Sequence, residues 1–200
     1  RPRTLALPKA STAMQAVTYY TAHFYALFFL QTVLKVPAVD AYKIVAIAVV
    51  IGTPAFVLFG ALSDRFGRKR IMMLGNLLSA VSYYGLYRAI ASHAAPPNYP
   101  VLVGIIALMI ALAAMITGPV AAFLVESFPA KVRYTSMSLP YHFGNGWFGG
   151  FLPLIATALV ARTGNIYAGL IYPIGIALMT FVVGSIVLRQ TRQPNTWDEV

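Results

Sequence analysis

Cysteine is absent from the 200 residues, acidic groups number five, and charged residues of every kind make up only 10%. Without thiols there is no disulfide, no thiolate nucleophile and no Cys-based metal site, although this says little about redox compartment. No Asp or Glu lies well inside an apolar run, since Asp64 and Glu126 stand at run ends. No Asp pair, Ser–His motif or metal-ligand cluster occurs at a spacing suited to a hydrolytic intramembrane enzyme, so neither enzyme activity nor a cofactor or metal is expected. A ring-forming filter sequence is missing too, which argues against a channel. Soluble domains carry about a quarter charged residues, so the scarcity of charge disfavours a soluble fold. The charged outer faces of amphipathic soluble helices are missing as well.

What fills the chain is apolar. Hydrophobic residues make up 59% and the mean hydropathy is +0.73. Six runs contain no Asp, Glu, Lys or Arg: Ala10–Leu34, Ile44–Ser63, Ile71–Tyr87, Ala89–Val125, Tyr134–Ala161 and Thr163–Leu188. A membrane-crossing helix needs about 20 mostly apolar residues. The expected fold is therefore an all-α membrane protein with spans at about Ser11–Leu34, Tyr42–Ser63, Arg70–Ser92, Val101–Val125, Thr135–Ala161 and Ile166–Leu188. A bend is expected at Gly52 and Pro54, and an interruption at Gly118-Pro119. HAAPPNYP, His93 to Pro100, reads as the clearest loop.

The net charge of +10 is a topology signal rather than a nucleic-acid signal. With six spans, both termini lie on one side. That side would hold eleven of the 15 Lys and Arg: Arg1, Arg3, Lys9, Arg65, Arg68, Lys69, Arg70, Lys131, Arg133, Arg189 and Arg192. The opposite side keeps Lys35, Lys43, Arg88 and Arg162. Positive charge marks the cytoplasmic face, so both ends are expected in the cytoplasm. No cleavable signal sequence is visible in the basic, proline-broken start. Because the first residue is Arg rather than Met, the reading expects a removed start or a part of a longer protein.

Charge concentrates in GALSDRFGRKR, Gly60 to Arg70. Gly67 suits a tight turn, since glycine tolerates positive φ, and Gly60 allows a neighbouring helix to come close. Asp64 sits where a membrane helix meets water and can accept from helix N–H groups or pair with an arginine. Arg65, Arg68, Lys69 and Arg70 can contact acidic side chains or anionic lipid. The bland alternative for some of these cations is topological anchoring alone. A second charged pair, Glu126 and Arg133, brackets six residues in ESFPAKVR.

These stretches resemble the major facilitator superfamily. Gly60, Leu62, Asp64, Arg65, Gly67, Arg68 and Lys69 match the G-x-L-x-D-R-x-G-R-K/R signature that follows the second or eighth helix in that family. Glu126 and Arg133 match its E-x6-R pattern, and the resemblance implies a cytoplasmic charge network that forms when that side is closed. RYTSMSLPYHFGNGWFGGFLP, Arg133 to Pro153, resembles the eleventh helix of the metabolite:proton symporter group, and HFYALFFLQTVLKV, His23 to Val36, its seventh. The resemblance implies six transmembrane helices forming the carboxyl-terminal half of a twelve-helix carrier in a bacterial plasma membrane. Its implied action is alternating-access transport of an organic acid or zwitterion with a proton. It implies as partners the lipid bilayer, a small metabolite, a proton, and a missing amino-terminal half or a second copy. On this reading residues 1–12 are an atypical amino end with a truncated or altered join, 13–189 the bundle, and 190–200 a tail. A non-transporting remnant and a nutrient or osmotic sensor remain alternatives, although the short polar tail offers a sensor no output domain.

Candidate pathway residues follow from spacing. Gln15, Thr18, Tyr19 and His23 recur at helical intervals and share a face. Val17, Phe24, Leu27 and Phe28 lie largely opposite. His23 near mid-span is a candidate proton carrier, or a neutral histidine bonded between helices. Ser138, His142 and Asn145 share a face in span five, where His142 and Asn145 are polar glue or cavity lining. Gly146 and Gly150 have the GxxxG spacing of close helix packing. With no acid or cation at mid-depth, a charge compensating an anionic substrate must come from outside this chain.

Overall fold

The computed structural model describes residues 15–127 and 133–187. Residues 1–14, 128–132 and 188–200, and with them the amino end, Pro129 and the tail of the sequence reading, lie outside it. Among the described residues the chain is helical with no strand, apart from one isolated bridge between Ala94 and Pro97. Six rods follow one another: α1 (15–33), α2 (Ala38–Phe66), α3 (Arg68–Ser92), α4 (Tyr99–Ser127), α5 (133–163) and α6 (168–187).

Each rod ends for a local reason. After α1 the chain passes through Lys35 at φ 58°, and Pro37 opens α2 with its carbonyl accepting from Asp40 and Ala41. Thr53 interrupts α2 between Ala38–Gly52 and Pro54–Phe66, as the missing proline N–H requires. Gly67, at φ 96° and ψ 131°, is the whole connection between α2 and α3. Only glycine adopts that conformation without strain. The α5 rod ends at Gly164 in the left-handed region, an ordinary helix stop.

Two departures from regular geometry matter. The α1 rod contains π-helical turns at Thr21–Tyr25 and Phe29–Val33, and α5 contains one at Gly144–Gly149. Conversely, the interruption expected at Gly118-Pro119 does not occur. Helix α4 runs unbroken through Pro119. One absent N–H removes a single ladder bond, and α4 is packed along this part by α2 and α3, which hold it in line.

Four rods are long and apolar enough to cross a membrane: Ala38–Phe66, Tyr99–Glu126, Ser136–Thr163 and Ala168–Ile186. Helices α1 and α3 are not among them. Their polar and tyrosine side chains lower the hydropathy, and several of those groups turn into the bundle: Thr18, Thr21, Asn76, Ser79, Tyr83 and Tyr87 are all fully buried.

Helix α4 is the central post, packing on α1, α2, α3 and α5, with α2 and α3 its most extensive partners. One core joins Tyr25, Phe29, Ile44, Tyr87, Ile106 and Ile110, and a smaller cluster joins Met72, Ile116, Val120 and Phe123 toward the charged end. In an apolar medium close van der Waals contact and polar bonds, rather than water exclusion, hold helices together. A close backbone approach of α2 to α4 is at Gly118, where an added Cβ would lie 2.8 Å from the Phe56 carbonyl oxygen and 3.1 Å from the Gly60 nitrogen. Gly118→Val should therefore force α2 from α4 and lower stability by about 1–3 kcal/mol. Gly104→Ala, placed where a Cβ meets nothing within 4 Å, should change it little. Unfolding in detergent micelles by denaturant reads the difference.

Candidate functional site

The one-residue turn at Gly67 places Asp64, in the last turn of α2, four positions before Arg68, the first residue of α3. Arg68 consequently folds back on its own connection, with Nη1 at 2.9 Å from Asp64 Oδ1. The rest of its guanidinium points to α4. Nε donates to Glu126 Oε1 and Oε2 at 2.9 and 2.8 Å, and Nη2 donates to Oε1 at 2.7 Å. Such forked, charge-assisted contacts are stronger than neutral hydrogen bonds and fix orientation. The bond to Glu126 is the chief cause that raises the arginine's pKa above its ordinary value.

Burial separates the two carboxylates. The Arg68 and Glu126 side chains are 13% and 14% exposed, whereas Asp64 is 55% exposed. The inner pair is therefore shielded from solvent screening, and the outer one is a surface contact of modest worth. Ser63 supports the assembly: its hydroxyl donates to the Gly60 carbonyl at 2.6 Å and accepts from Arg68 Nη1 at 3.4 Å. Lys69 adds a tie to a further rod, its Nζ donating to the Ser185 carbonyl of α6 at 2.8 Å. Arg65 and Arg70 are exposed and make no ion pair among the described residues.

Of the residues read from the sequence, Asp64, Arg68 and Glu126 thus meet, with Gly60 and Gly67 shaping the approach. Arg133 begins α5, but its side chain lies outside the described residues. The sequence spacing coupled Glu126 with Arg133, and it missed that Arg68 serves both carboxylates. No spacing rule connects position 68 with position 126; only packing of α3 on α4 does.

The pathway candidates are more dispersed. Gln15 is 3% exposed and Thr18 is fully buried, so these two face the bundle interior. Tyr19 and His23 are half-buried and stack on one another, with ring centroids 4.1 Å apart. His23 Nδ1 bonds to the Tyr19 carbonyl at 2.9 Å; because a carbonyl only accepts, that nitrogen carries the proton. Opposite them on α1, Val17 is buried, while Phe24 and Phe28 are 44% and 40% exposed. On α5, Ser138 and His142 are exposed, and half-buried Asn145 donates to the Tyr141 carbonyl at 2.9 Å. The close approach on this rod is at Gly149, whose added Cβ would meet the Tyr20 ring at 2.7 Å. At Gly146 a Cβ would meet nothing within 4 Å, and at Gly150 it would meet the Gly146 carbonyl of its own helix.

At the other end of the bundle an open recess of about 510 Å³ is lined by Ser92, His93, Pro96, Pro97, Asn98, Tyr99 and Pro100. None of the sequence-derived site residues lies there. No group of three His, Asp or Glu able to hold a metal occurs among the described residues.

The chain matches the family model described as Major Facilitator Superfamily over residues 10–199. It is 30% identical over 153 residues to a citrate-proton symporter of Klebsiella pneumoniae, covering 76% of this chain and 34% of that protein. A citrate-proton symporter of Salmonella typhi is 29% identical over 156 residues, with 76% and 35% covered. A putative proline/betaine transporter of Staphylococcus aureus is 26% identical over 167 residues, with 84% and 35% covered. The chain therefore spans about a third of the length of the curated relatives it matches.

Replacing Arg68 by Ala should remove the forked contacts to the enclosed Glu126 carboxylate and cost about 1–3 kcal/mol. Arg68→Lys should recover only part, because a lysine cannot supply the fork. Asp64→Asn should cost about 0–1 kcal/mol, as an exposed pair does. Denaturant unfolding of the three variants in micelles gives the order.

Proposed function

The chain belongs to the major facilitator superfamily, and on that premise we propose that it is the carboxyl-terminal, six-helix half of a secondary carrier. The carrier moves a small polar metabolite, an organic acid or a zwitterion, together with a proton by alternating access. All six rods cross the membrane, α1 and α3 among them, because their polar groups face helices rather than lipid. The family is one of multi-pass membrane proteins; the bacterial inner membrane and a cytoplasmic location of both termini are part of this proposal, supported by the distribution of Lys and Arg.

The Arg68 fork is the observation that carries this reading. It binds α2, α3 and α4 at their charged ends, and one guanidinium serves two carboxylates of different exposure. Such a cluster closes the cytoplasmic side when assembled and releases it when the partners separate. A few charge contacts suffice to bias two states of similar free energy. Arg65, Lys69 and Arg133 join the same cytoplasmic network, Lys69 through its tie to α6.

The transport route runs along α1 and α5. Tyr19, His23, His142 and Asn145 are at least partly exposed there and contact substrate or proton, while Gln15 becomes available only when α1 shifts. Gly146 and Gly150 give α5 a smooth face for a neighbouring helix. Since Asp and Glu are absent from the interiors of these rods, the partner bundle supplies the charge that balances an anionic substrate. That partner is the amino-terminal half or a second copy of this bundle. The limited coverage of the relatives supports the former.

The test is uptake of labelled citrate, proline and betaine into vesicles containing the polypeptide encoded by the complete reading frame. Uptake of one of these classes should rise with an inward proton gradient. Arg68→Ala should lower it about tenfold, the equivalent of ~1.4 kcal/mol in the working equilibrium. Gradient-independent uptake refutes symport. Uptake by the 200-residue chain as a monomer refutes its role as a half.

A further inference from the structure

Two tyrosines of α3 reach across to the backbone of α1. Tyr87 Oη donates to the Thr21 carbonyl at 2.8 Å, and Tyr83 Oη donates to the Thr18 carbonyl at 3.2 Å. The two rods therefore run parallel, with four residues of α3 matching three of α1 per rung. Four residues before Tyr83 is Ser79; three before Thr18 is Gln15. The next rung thus pairs a serine with a glutamine, and a serine is far too short to bridge the span a phenol covers.

Both members of this rung are enclosed, and each has a side-chain oxygen without a partner. Ser79 is fully buried and Gln15 is 3% exposed, and neither Ser79 Oγ nor Gln15 Oε1 has a hydrogen-bond partner. The Ser79 hydroxyl lies beside the Tyr83 phenol. A third orphan lies three residues before Ser79 on α3. Asn76, fully buried, gives Nδ2 to the Ala177 carbonyl at 2.7 Å and to Thr180 Oγ1 at 3.0 Å, which leaves Oδ1 without a partner. Residues three apart on a helix are surface neighbours. Orphaned polar atoms inside an apolar bundle are costly where no bulk water can reach them.

We propose that a buried water molecule binds between α1 and α3 at this rung, held by Ser79, Gln15 and Asn76. The donor inventory fits: the water accepts from Ser79 Oγ–H and donates to Gln15 Oε1 and Asn76 Oδ1. Buried waters commonly make about three such bonds. Either end of the Gln15 amide can serve, since water donates and accepts. A metal cation is the poorer occupant, because every ligand is neutral and the rods hold no interior carboxylate to replace its hydration. An anion would find one hydroxyl donor. The water makes the lowest rung the adaptable one. Thr18 and Thr21 are held directly by phenols, while the Gln15 end of α1 is held through a molecule that can re-partner as the rod moves.

Hydroxyl-radical footprinting with X-ray pulses tests this on the chain in micelles, since radicals form in place from bound water and oxidise the nearest side chains. Tyr83 and Tyr87 are equally buried and Tyr87 is one rung farther from the site, so Tyr87 is the reference. Tyr83 should be oxidised several-fold faster than Tyr87. Ser79→Ala and Gln15→Met should each bring Tyr83 down to the Tyr87 rate, and Ser79→Thr, which retains the hydroxyl, should not. Equal rates for the two tyrosines in the unsubstituted chain overturn the proposal, and that comparison stands even if a variant fails to insert. Fast Tyr83 oxidation that survives both Ser79→Ala and Gln15→Met overturns it as well.

Discussion

The backbone contact between Gly60 and Gly118 is the constraint on which the charged end of the molecule depends. Any side chain at position 118 would separate α2 from α4. With the two rods in contact there, the end of α2 lies beside the end of α4, and Gly67 turns the chain into α3 within one residue. Arg68 then begins a helix already packed on α4, where its guanidinium finds Glu126. The glycines are therefore part of the electrostatics. They set the separation at which a fork of 2.7–2.9 Å contacts can form.

A second organising effect is the placement of polar groups. Helices α2, α4, α5 and α6 contain stretches apolar enough to face lipid, whereas α1 and α3 hold much of the interior polar chemistry. Tyr83 and Tyr87 clamp α1, Asn76 joins α3 to α6, and Lys69 repeats the α3–α6 tie at the charged end. In a medium without competing water, such bonds compensate for weak hydrophobic attraction between rods. They also explain why a helix rich in serine, asparagine and tyrosine belongs inside the bundle. Beside these clamps, α1 departs from regular α geometry at Thr21–Tyr25, so its shape and its anchoring are linked.

Much of the helical character was legible from long uncharged runs, because an apolar environment obliges a chain to satisfy its backbone within each segment. The tight turn at Gly67 was legible too, from glycine flanked by charge. Other features were not. Pro119 read as an interruption, yet lateral packing on α4 carried the helix through it. The wide turns in α1 and α5 left no local signature, since they depend on what each rod meets. Gln15, Thr18, Tyr19 and His23 share a face by spacing, but the π-helical turn and the neighbours divide them into an enclosed pair and a half-exposed pair.

By itself the amino-acid sequence determined the helical membrane class, the position of the charged turn and the residue types gathered near it. These are properties of composition and local spacing, and they follow from the length of a bilayer crossing and the conformations open to glycine. Only the tertiary structure decided that Arg68 reaches Glu126 as well as Asp64. It also decided that Gly149 rather than Gly146 is where α5 presses on α1. Both outcomes depend on the rotation and approach of whole rods, and those are set by the sum of many small contacts rather than by any short run of residues.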